Sequence, residues 1–309
     1  MTAPKIALRP ASTDELEAAV RAGGGEPVED AASADAIVWV NPRDPQGLAD
    51  LLAASSARWV QLPFAGIEAF IAAGVVDPAR TWTCTKGVYG PACAEHALAL
   101  MLAAARRLHD HIKASTWRSG GFGSPERRLA GTTAVVIGTG GIGSALVPMV
   151  RPLGVRVIGV NRSGRPLDGA DRTVRVDRLM DVVHEADWVV VAAAATPETR
   201  HLVDAGMLAA MRTTAWVVNV ARGELVDTEA LVAALEAGSI GGAALDVTDP
   251  EPLPDGHPLW AMANAIVTPH VANTWDMAVP ELVAMVERNV AHFAAGEPLE
   301  GLVDPGAGY

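Results

Sequence analysis

Cysteine is nearly absent: 309 residues contain two, Cys84 and Cys93, and neither stands at a metal-type or redox-type spacing. A disulfide scaffold, a zinc ribbon and a dithiol redox centre are thereby excluded, and two ordinary buried thiols in a reducing compartment are expected. The corresponding expectation is a cytoplasmic protein without a metal site. Basic charge is also in deficit. With 24 Lys and Arg against 36 Asp and Glu, the formal net charge of −12 argues against nucleic acid or an anionic membrane as the main partner. No apolar run approaches the span of a bilayer, and Met1 to Arg9 lacks an apolar core long enough for a signal peptide, so a soluble protein is expected. Charged residues make up only 19% of the chain while half of it is apolar, which excludes disorder as a description of the whole. At this length two domains of ordinary size, each with its own core, are possible. We find no internal repeat or low-complexity tract.

What the chain does have is organised around Thr133 to Val150. The apolar run Ala134-Val135-Val136-Ile137 meets Gly138-Thr139-Gly140-Gly141-Ile142-Gly143 and then Ser144-Ala145-Leu146-Val147. This spells strand, glycine turn, helix. Gly138 permits the tight turn, Gly140 lets backbone N–H groups approach a pyrophosphate, and Gly143 lets the helix lie close on the strand. Gly138, Gly140, Gly141, Ile142 and Gly143 are thus candidate dinucleotide contacts.

A second strand, Val155 to Val160, ends where such folds present a carboxylate to the adenosine ribose, and that carboxylate is missing. Asn161 stands there, followed by Arg162, Ser163 and Arg165. Two guanidinium forks where a 2′-phosphate would sit favour NADP(H) over NAD(H), which stays possible; the plainer reading is a pair of solvated loop charges.

Before this stretch, Ile6-Ala7-Leu8, Ala36 to Val40 and Trp59 to Leu62 alternate with amphipathic stretches Asp14 to Ala22 and Gly47 to Ala54. This is the pattern of a small parallel α/β unit, whose ligand loops follow the strand ends, for example at Pro63 to Ile67. Pro91 to His109 predicts a helix apolar nearly all round and so buried on several sides. Thr116 to Gly131 predicts a connecting loop. After Asn161 the spacing predicts helices over 177–185, 205–211, 228–237 and 280–295, and strands over 188–191, 216–219, 242–245 and 265–267. A doubly wound sheet accounts for these strands.

Three polar side chains follow successive late strands: Arg222, Glu251 and His270. A cation, a carboxylate and an imidazole are the groups needed to reduce a 2-keto acid. Arg222 would grip the carboxylate and polarise the ketone, His270 would pass the proton, and Glu251 would hold the imidazole and favour its charged form. Singly, each has a plainer reading as a helix-end cation, a structural histidine or a solvated acid.

Together these residues make the chain resemble the D-isomer-specific 2-hydroxyacid dehydrogenases over nearly its whole length. The matching segments are Ala65-Gly66-Ile67, Ala94-Glu95-His96, Trp117-Arg118, the glycine turn, Thr196-Pro197-Glu198-Thr199, Asn219 to Gly223, Leu245-Asp246-Val247, Glu251-Pro252 and Thr268-Pro269-His270. The resemblance implies a central Rossmann domain, residues 97–275, and a discontinuous flavodoxin-like α/β substrate domain, residues 1–96 with 276–309. It implies a homodimer with the helix near Glu95 at its interface, backbone contacts from Ala65 and Gly66 to the substrate carboxylate, and a contact from Asp246 to the nicotinamide carboxamide. It also implies the roles given to Arg222, Glu251 and His270. The chain departs from the family pattern at Asn161, at Ala194, where a proline is common, and at Ala272-Asn273, where glycines are usual. Formate-type members carry a glutamine where this chain has Glu251, which argues against that branch. The expectation is a reductase of small 2-keto acids such as glyoxylate or hydroxypyruvate. Phe64, Val88, Tyr89 and Trp275 are candidate pocket residues that could equally be core. The alternative is a dinucleotide-sensing binding protein on the same fold, as related corepressors are.

Overall fold

The computed structural model describes residues 2–117 and 126–304. The chain divides into two compact units, Met1–Tyr89 with Trp275–Tyr309, and Gly90–Thr274. The expected boundary at 96/97 falls inside a helix that starts at Gly90 and packs as one piece in the second unit, so the observed division precedes it.

The first unit contains β1 (Lys5–Arg9), α1 (Asp14–Ala22), β2 (Glu26–Val28), β3 (Ala36–Trp39), α2 (Pro45–Ala53), β4 (Trp59–Gln61), α3 (Glu68–Ala72) and β5 (Thr81–Thr83). All strand pairs are parallel and the order is β2-β1-β3-β4-β5, the flavodoxin-like winding. β3 is buried on both faces because helices cover both, which is why it reads as an unbroken apolar run. Thr13 and Asp44 cap α1 and α2 by accepting from the N–H groups of Leu16 and Gly47, as short polar side chains do at helix starts.

The second unit contains α4 (Gly90–Ala105), α5 (Leu108–His111), β6 (Thr133–Ile137), α6 (Gly141–Val150), β7 (Arg156–Asn161), β8 (Arg172–Arg175), β9 (Trp188–Val191), α7 (Ala205–Ala210), β10 (Trp216–Asn219), α8 (Thr228–Glu236), β11 (Gly242–Leu245) and β12 (Ala265–Val267). Its seven parallel strands run β12-β11-β10-β9-β6-β7-β8, the doubly wound order. The order reverses between β6 and β9, so the glycine turn after β6 opens at the switch point where such sheets bind ligands. One face of the sheet is covered by a core that includes Val135, Val189, Val217 and Leu231. The other carries Ala94, Ala97, Leu100 and Met101 of α4 against Val136, Val190 and Val218. Each fully buried Val or Leu contributes about 1.5–3 kcal/mol.

The chain returns to the first unit through α9 (Trp275–Ala295), tied there by a buried polar chain. Trp59 Nε1 donates to Thr83 Oγ1 at 2.7 Å, Thr83 donates to Gln61 Oε1 at 2.8 Å, and Asn289 Nδ2 donates to the same oxygen at 3.0 Å.

Three expected helices are corrected. Residues 177–185 form two 3-10 turns, Val176–Asp181 and Val183–Glu185; the β-branched pair Val182-Val183 at the break loses rotamer freedom in a helix. The helix expected to reach His109 stops at Ala105 because Arg107 adopts φ 50, and α5 restarts beyond it. The last helix starts at Trp275 and carries Pro280 inside it, forfeiting one ladder bond rather than starting there. Among the described residues no helix is long and apolar enough to cross a membrane.

Candidate active site

Gly138, at the end of β6, adopts φ 99, which only glycine reaches without strain, and a Cβ there would overlap the Ala192 carbonyl. A Cβ on Gly143 would overlap the carbonyl oxygen of Gly138, so this glycine allows the helix to close on the turn. Gly140 is different: nothing lies within 4 Å of the position its Cβ would take. It is the N-terminal cap residue of α6, makes no side-chain cap, and leaves Gly141 and Ile142 half-buried in the first helical turn. A helix N-terminus with an open cradle over a bare glycine is the donor arrangement a pyrophosphate requires. The residues present therefore fit a dinucleotide.

The next strand end is stapled to this turn. Asn161 Nδ2 donates to Thr139 Oγ1 and to the Arg165 carbonyl, both at 2.9 Å. Its Oδ1 accepts from the Gly164 N–H at 2.6 Å and from Ser163 Oγ at 3.3 Å. Asn161 is thus a loop organiser, and it leaves Arg162, Ser163 and Arg165 exposed at the end of β7. Thr196 first, then its own backbone N–H, hold the Glu198 carboxyl below the usual range, and the Arg162 charge adds to this. Arg162 thus lies close to an acidic residue of the segment after β9.

Arg222 follows β10, half-buried, with Nη1 donating to the Ala221 carbonyl at 2.7 Å. Its loop is fixed by Asn219, whose Oδ1 accepts from the Ala221 N–H at 3.0 Å and whose Nδ2 donates to the Arg222 carbonyl at 2.8 Å. Glu251 and His270 meet at the ends of β11 and β12: Glu251 Oε1 is 2.7 Å from His270 Nδ1. The pair is nearly half exposed, at 42% and 48% of the side chains. With Nδ1 taken by a carboxylate, Nε2 is the nitrogen left to face a reactant.

Asp246 is 1% exposed, and its carboxylate accepts several hydrogen bonds from within the chain. Thr268 Oγ1 donates to Oδ1 at 2.6 Å, and the N–H groups of Val271 and Ala272 donate to Oδ1 and Oδ2 at 2.9 Å. Burial pushes its carboxyl up, but hydrogen bonds from His96, Thr268 and those two N–H groups prevail and hold it at about 2. The backbone is used as well, since the His270 N–H donates to the Asp246 carbonyl at 2.8 Å.

Two further side chains join this corner and carry no role in the sequence reading. His96 of α4 puts Nε2 3.0 Å from Thr268 Oγ1 and 3.3 Å from Asp246 Oδ1. Cys93, one turn earlier, has its thiol pushed up to about 11 by burial and then by the Asp246 charge, with Arg222 pulling the other way. The available signal was a histidine in a helix that is apolar apart from it and Glu95.

Ala65 and Gly66 belong to the first unit, in the loop between β4 and α3. The loop is pinned at Pro63, whose carbonyl accepts from Tyr89 Oη at 2.6 Å and from Thr85 Oγ1 at 3.0 Å. Burial pushes the Tyr89 phenol up to about 12. Phe64 lies between Tyr89 and Trp275, with ring centroids 5.7 and 5.8 Å away. Tyr89 is therefore core, whereas Trp275 is 42% exposed. Arg118, named with Trp117 in the sequence, lies outside the described residues. Among the described residues no group of His, Cys, Asp and Glu side chains could hold a metal ion.

A doubly wound sheet with this turn and an imidazole–carboxylate pair at neighbouring strand ends defines a class, the dinucleotide-dependent oxidoreductases. The profile described as D-isomer specific 2-hydroxyacid dehydrogenase, NAD binding domain, matches residues 98–272. A glyoxylate reductase of Thermococcus kodakarensis is 34% identical over 230 residues, 72% of this chain and 69% of that protein. An uncharacterized protein of Corynebacterium melassecola is 39% identical over 310 residues, 99% of this chain and 100% of that one. The solved NADPH-dependent glyoxylate/hydroxypyruvate reductase of Sinorhizobium meliloti, in complex with NADP and sulfate, is similar with a TM-score of 0.81 and 26% identity, over 99% of this chain and 100% of that one. This chain belongs to the D-isomer-specific 2-hydroxyacid dehydrogenase family, and it is an NAD(P)-dependent oxidoreductase.

Proposed function

We propose that the protein reduces small 2-keto acids to D-2-hydroxy acids with NADPH, glyoxylate and hydroxypyruvate being the first candidates. The observation that carries the reading is the 2.7 Å contact between Glu251 and His270, which orients an imidazole at a strand end in the same sheet as the glycine turn. The bound reduced nicotinamide supplies the hydride to the carbonyl carbon. The protein residues do the rest. Arg222 pairs with the substrate carboxylate and polarises the ketone, a task suited to a planar fork. His270 delivers a proton from Nε2 to the carbonyl oxygen as the alcohol forms, and Glu251, 2.7 Å from Nδ1, holds the ring. Backbone N–H groups of Ala65 and Gly66 take part in substrate binding, with the first unit as the substrate domain and the second as the dinucleotide domain. Gly138, Gly140, Gly141, Ile142 and Gly143 receive the pyrophosphate, and Arg162, Ser163 and Arg165 the 2′-phosphate, with Asn161 shaping their loop.

The same reading includes a cytoplasmic homodimer formed around α4. Leu102 on α4 and Leu108 and Ile112 just beyond it are exposed apolar side chains that an interface would cover.

Absorbance of the reduced nicotinamide, followed with a panel of 2-keto acids and either NADPH or NADH, tests the proposal. Turnover of glyoxylate or hydroxypyruvate with a preference for NADPH is the expected result. Dinucleotide binding without turnover of any member of the panel would make the protein a sensor of dinucleotide level instead.

A further inference from the structure

The corner behind His270 contains a chain of hydrogen bonds that the proposed reaction does not use. Thr268 Oγ1 gives its hydrogen to Asp246 Oδ1, so the hydroxyl oxygen is left as an acceptor. His96 Nε2, 3.0 Å away, must then be the donor that fills it, which assigns a proton to that nitrogen. His96 thus reaches the Asp246 carboxylate through the Thr268 hydroxyl and also directly, its Nε2 lying 3.3 Å from Oδ1. Asp246 in turn holds three consecutive N–H groups, those of His270, Val271 and Ala272, through its carbonyl and both carboxylate oxygens.

The segment gripped in this way is strained. His270 adopts φ 53, in the left-handed region that residues other than glycine enter only at a cost. Such a conformation persists where its surroundings over-determine it. Here three N–H bonds to one buried residue supply that restraint, and the far end of the chain is anchored on α4. That helix is packed into the sheet through Ala94, Ala97 and Met101, all fully buried.

We infer that His96, acting through Thr268 and Asp246, is a positioning residue that holds His270 in the left-handed conformation from which its ring meets Glu251. It touches neither substrate nor cofactor in this scheme. Its place is to make a rigid helix, rather than a loop, the reference for the position of the proton donor. The catalytic consequence rests on the role proposed above for His270; the conformational consequence does not.

Two measurements on wild type, His96→Leu, His96→Gln and Thr268→Val separate these. The first is amide hydrogen exchange of the segment 268–274, with residues 216–219 of β10 as the internal reference. The second is turnover of glyoxylate and hydroxypyruvate with NADPH. Leucine removes the donor, and glutamine keeps an N–H of similar reach. Thr268→Val removes the 2.6 Å hydroxyl bond to Asp246 without touching α4 and leaves only the longer direct contact of His96. In His96→Leu and Thr268→Val, exchange of 268–274 should rise by about tenfold while β10 keeps its protection. In the same two variants kcat should fall by about tenfold or more with KM for NADPH little changed, as a misplaced proton donor predicts. His96→Gln should restore both properties to within about threefold of wild type, since it keeps the donor. Wild-type exchange of 268–274 in His96→Leu and Thr268→Val overturns the inference. So does an equal loss in the leucine and glutamine variants, or a loss of protection that spreads to β10. If the wild type turns over neither keto acid, the proposed reaction fails, while the exchange comparison still decides what His96 does.

Discussion

Arg222 and Glu251 can each be tested by a substitution that keeps one property and removes another. Arg222→Lys keeps the positive charge and loses the planar fork, and the Asn219 bonds that shape its loop involve backbone groups that the substitution leaves in place. The variant should keep the thermal midpoint of the wild type and lose on the order of a hundredfold in kcat/KM for the keto acid, about 2.7 kcal/mol of transition-state stabilisation. Wild-type kinetics would remove Arg222 from the reaction. Glu251→Gln keeps a hydrogen-bond partner for His270 Nδ1 and removes the charge. An amide is a weaker acceptor than a carboxylate, so the ring is held less firmly in the orientation that points Nε2 outward. The variant should therefore lose about tenfold in kcat for reduction with KM for NADPH little changed, as a less well oriented proton donor predicts. Unchanged kcat would make Glu251 an ordinary exposed partner of the ring. The position of Asp246 after a strand end was legible, whereas the bonds it accepts from Thr268, Val271 and Ala272 depend on how that segment folds back, which no spacing shows.

The glycine turn makes its own prediction at the level of β6 and α6. Gly143→Ala places a Cβ against the Gly138 carbonyl, a backbone atom that cannot rotate away. Overpacking of this kind costs about 1–3 kcal/mol, so the thermal midpoint should fall by several degrees. Gly140→Ser adds a side chain into open space at the cap of α6, where serine is as good as glycine or better by a few tenths of a kcal/mol. It should leave the midpoint unchanged or slightly raised and increase KM for NADPH, because the new side chain stands where the pyrophosphate approaches. Opposite signs in stability and binding are what separate a packing glycine from a binding one. Equal destabilisation by both substitutions would show that Gly140 serves the fold alone. The strands of the sheet centres were legible because burial on both faces makes them continuous apolar runs, as in β6, β9 and β10. The edge strands β2 and β8 were not, since only one side pairs and their residues are partly or fully exposed. β5, only three residues long, gave no periodic signal. The helix starting at Trp275 was hidden by Pro280, which reads as a start when it stands in the second turn.

The formal charge of −12 makes acid stability a property of the whole chain, and Asp246 is the carboxylate whose contribution can be isolated. Its folded pKa is held at about 2, below the ordinary value of 3.8, by hydrogen bonds that outweigh its burial. A group lowered on folding stabilises the native state fully above its unfolded value, and that contribution is lost as pH falls through the folded one. The window here therefore runs from about pH 4 down to about pH 2, and the shift corresponds to on the order of 2 kcal/mol. Other carboxylates titrate in the same range, so the acid transition of the wild type alone assigns nothing. The difference between wild type and Asp246→Asn cancels those shared terms. The amide keeps the size of the side chain but turns one acceptor into a donor against N–H and O–H groups that already donate. Stability of the variant should be lower by about 1–3 kcal/mol near pH 6, the cost of leaving buried partners unsatisfied. That gap should narrow as the pH approaches 2, where the wild-type carboxyl also becomes neutral. Thermal midpoints of both proteins measured at intervals from pH 6 to pH 2 give the comparison. A gap that stays constant over the range would mean that the charge of Asp246 contributes nothing and that only its shape holds the segment behind His270.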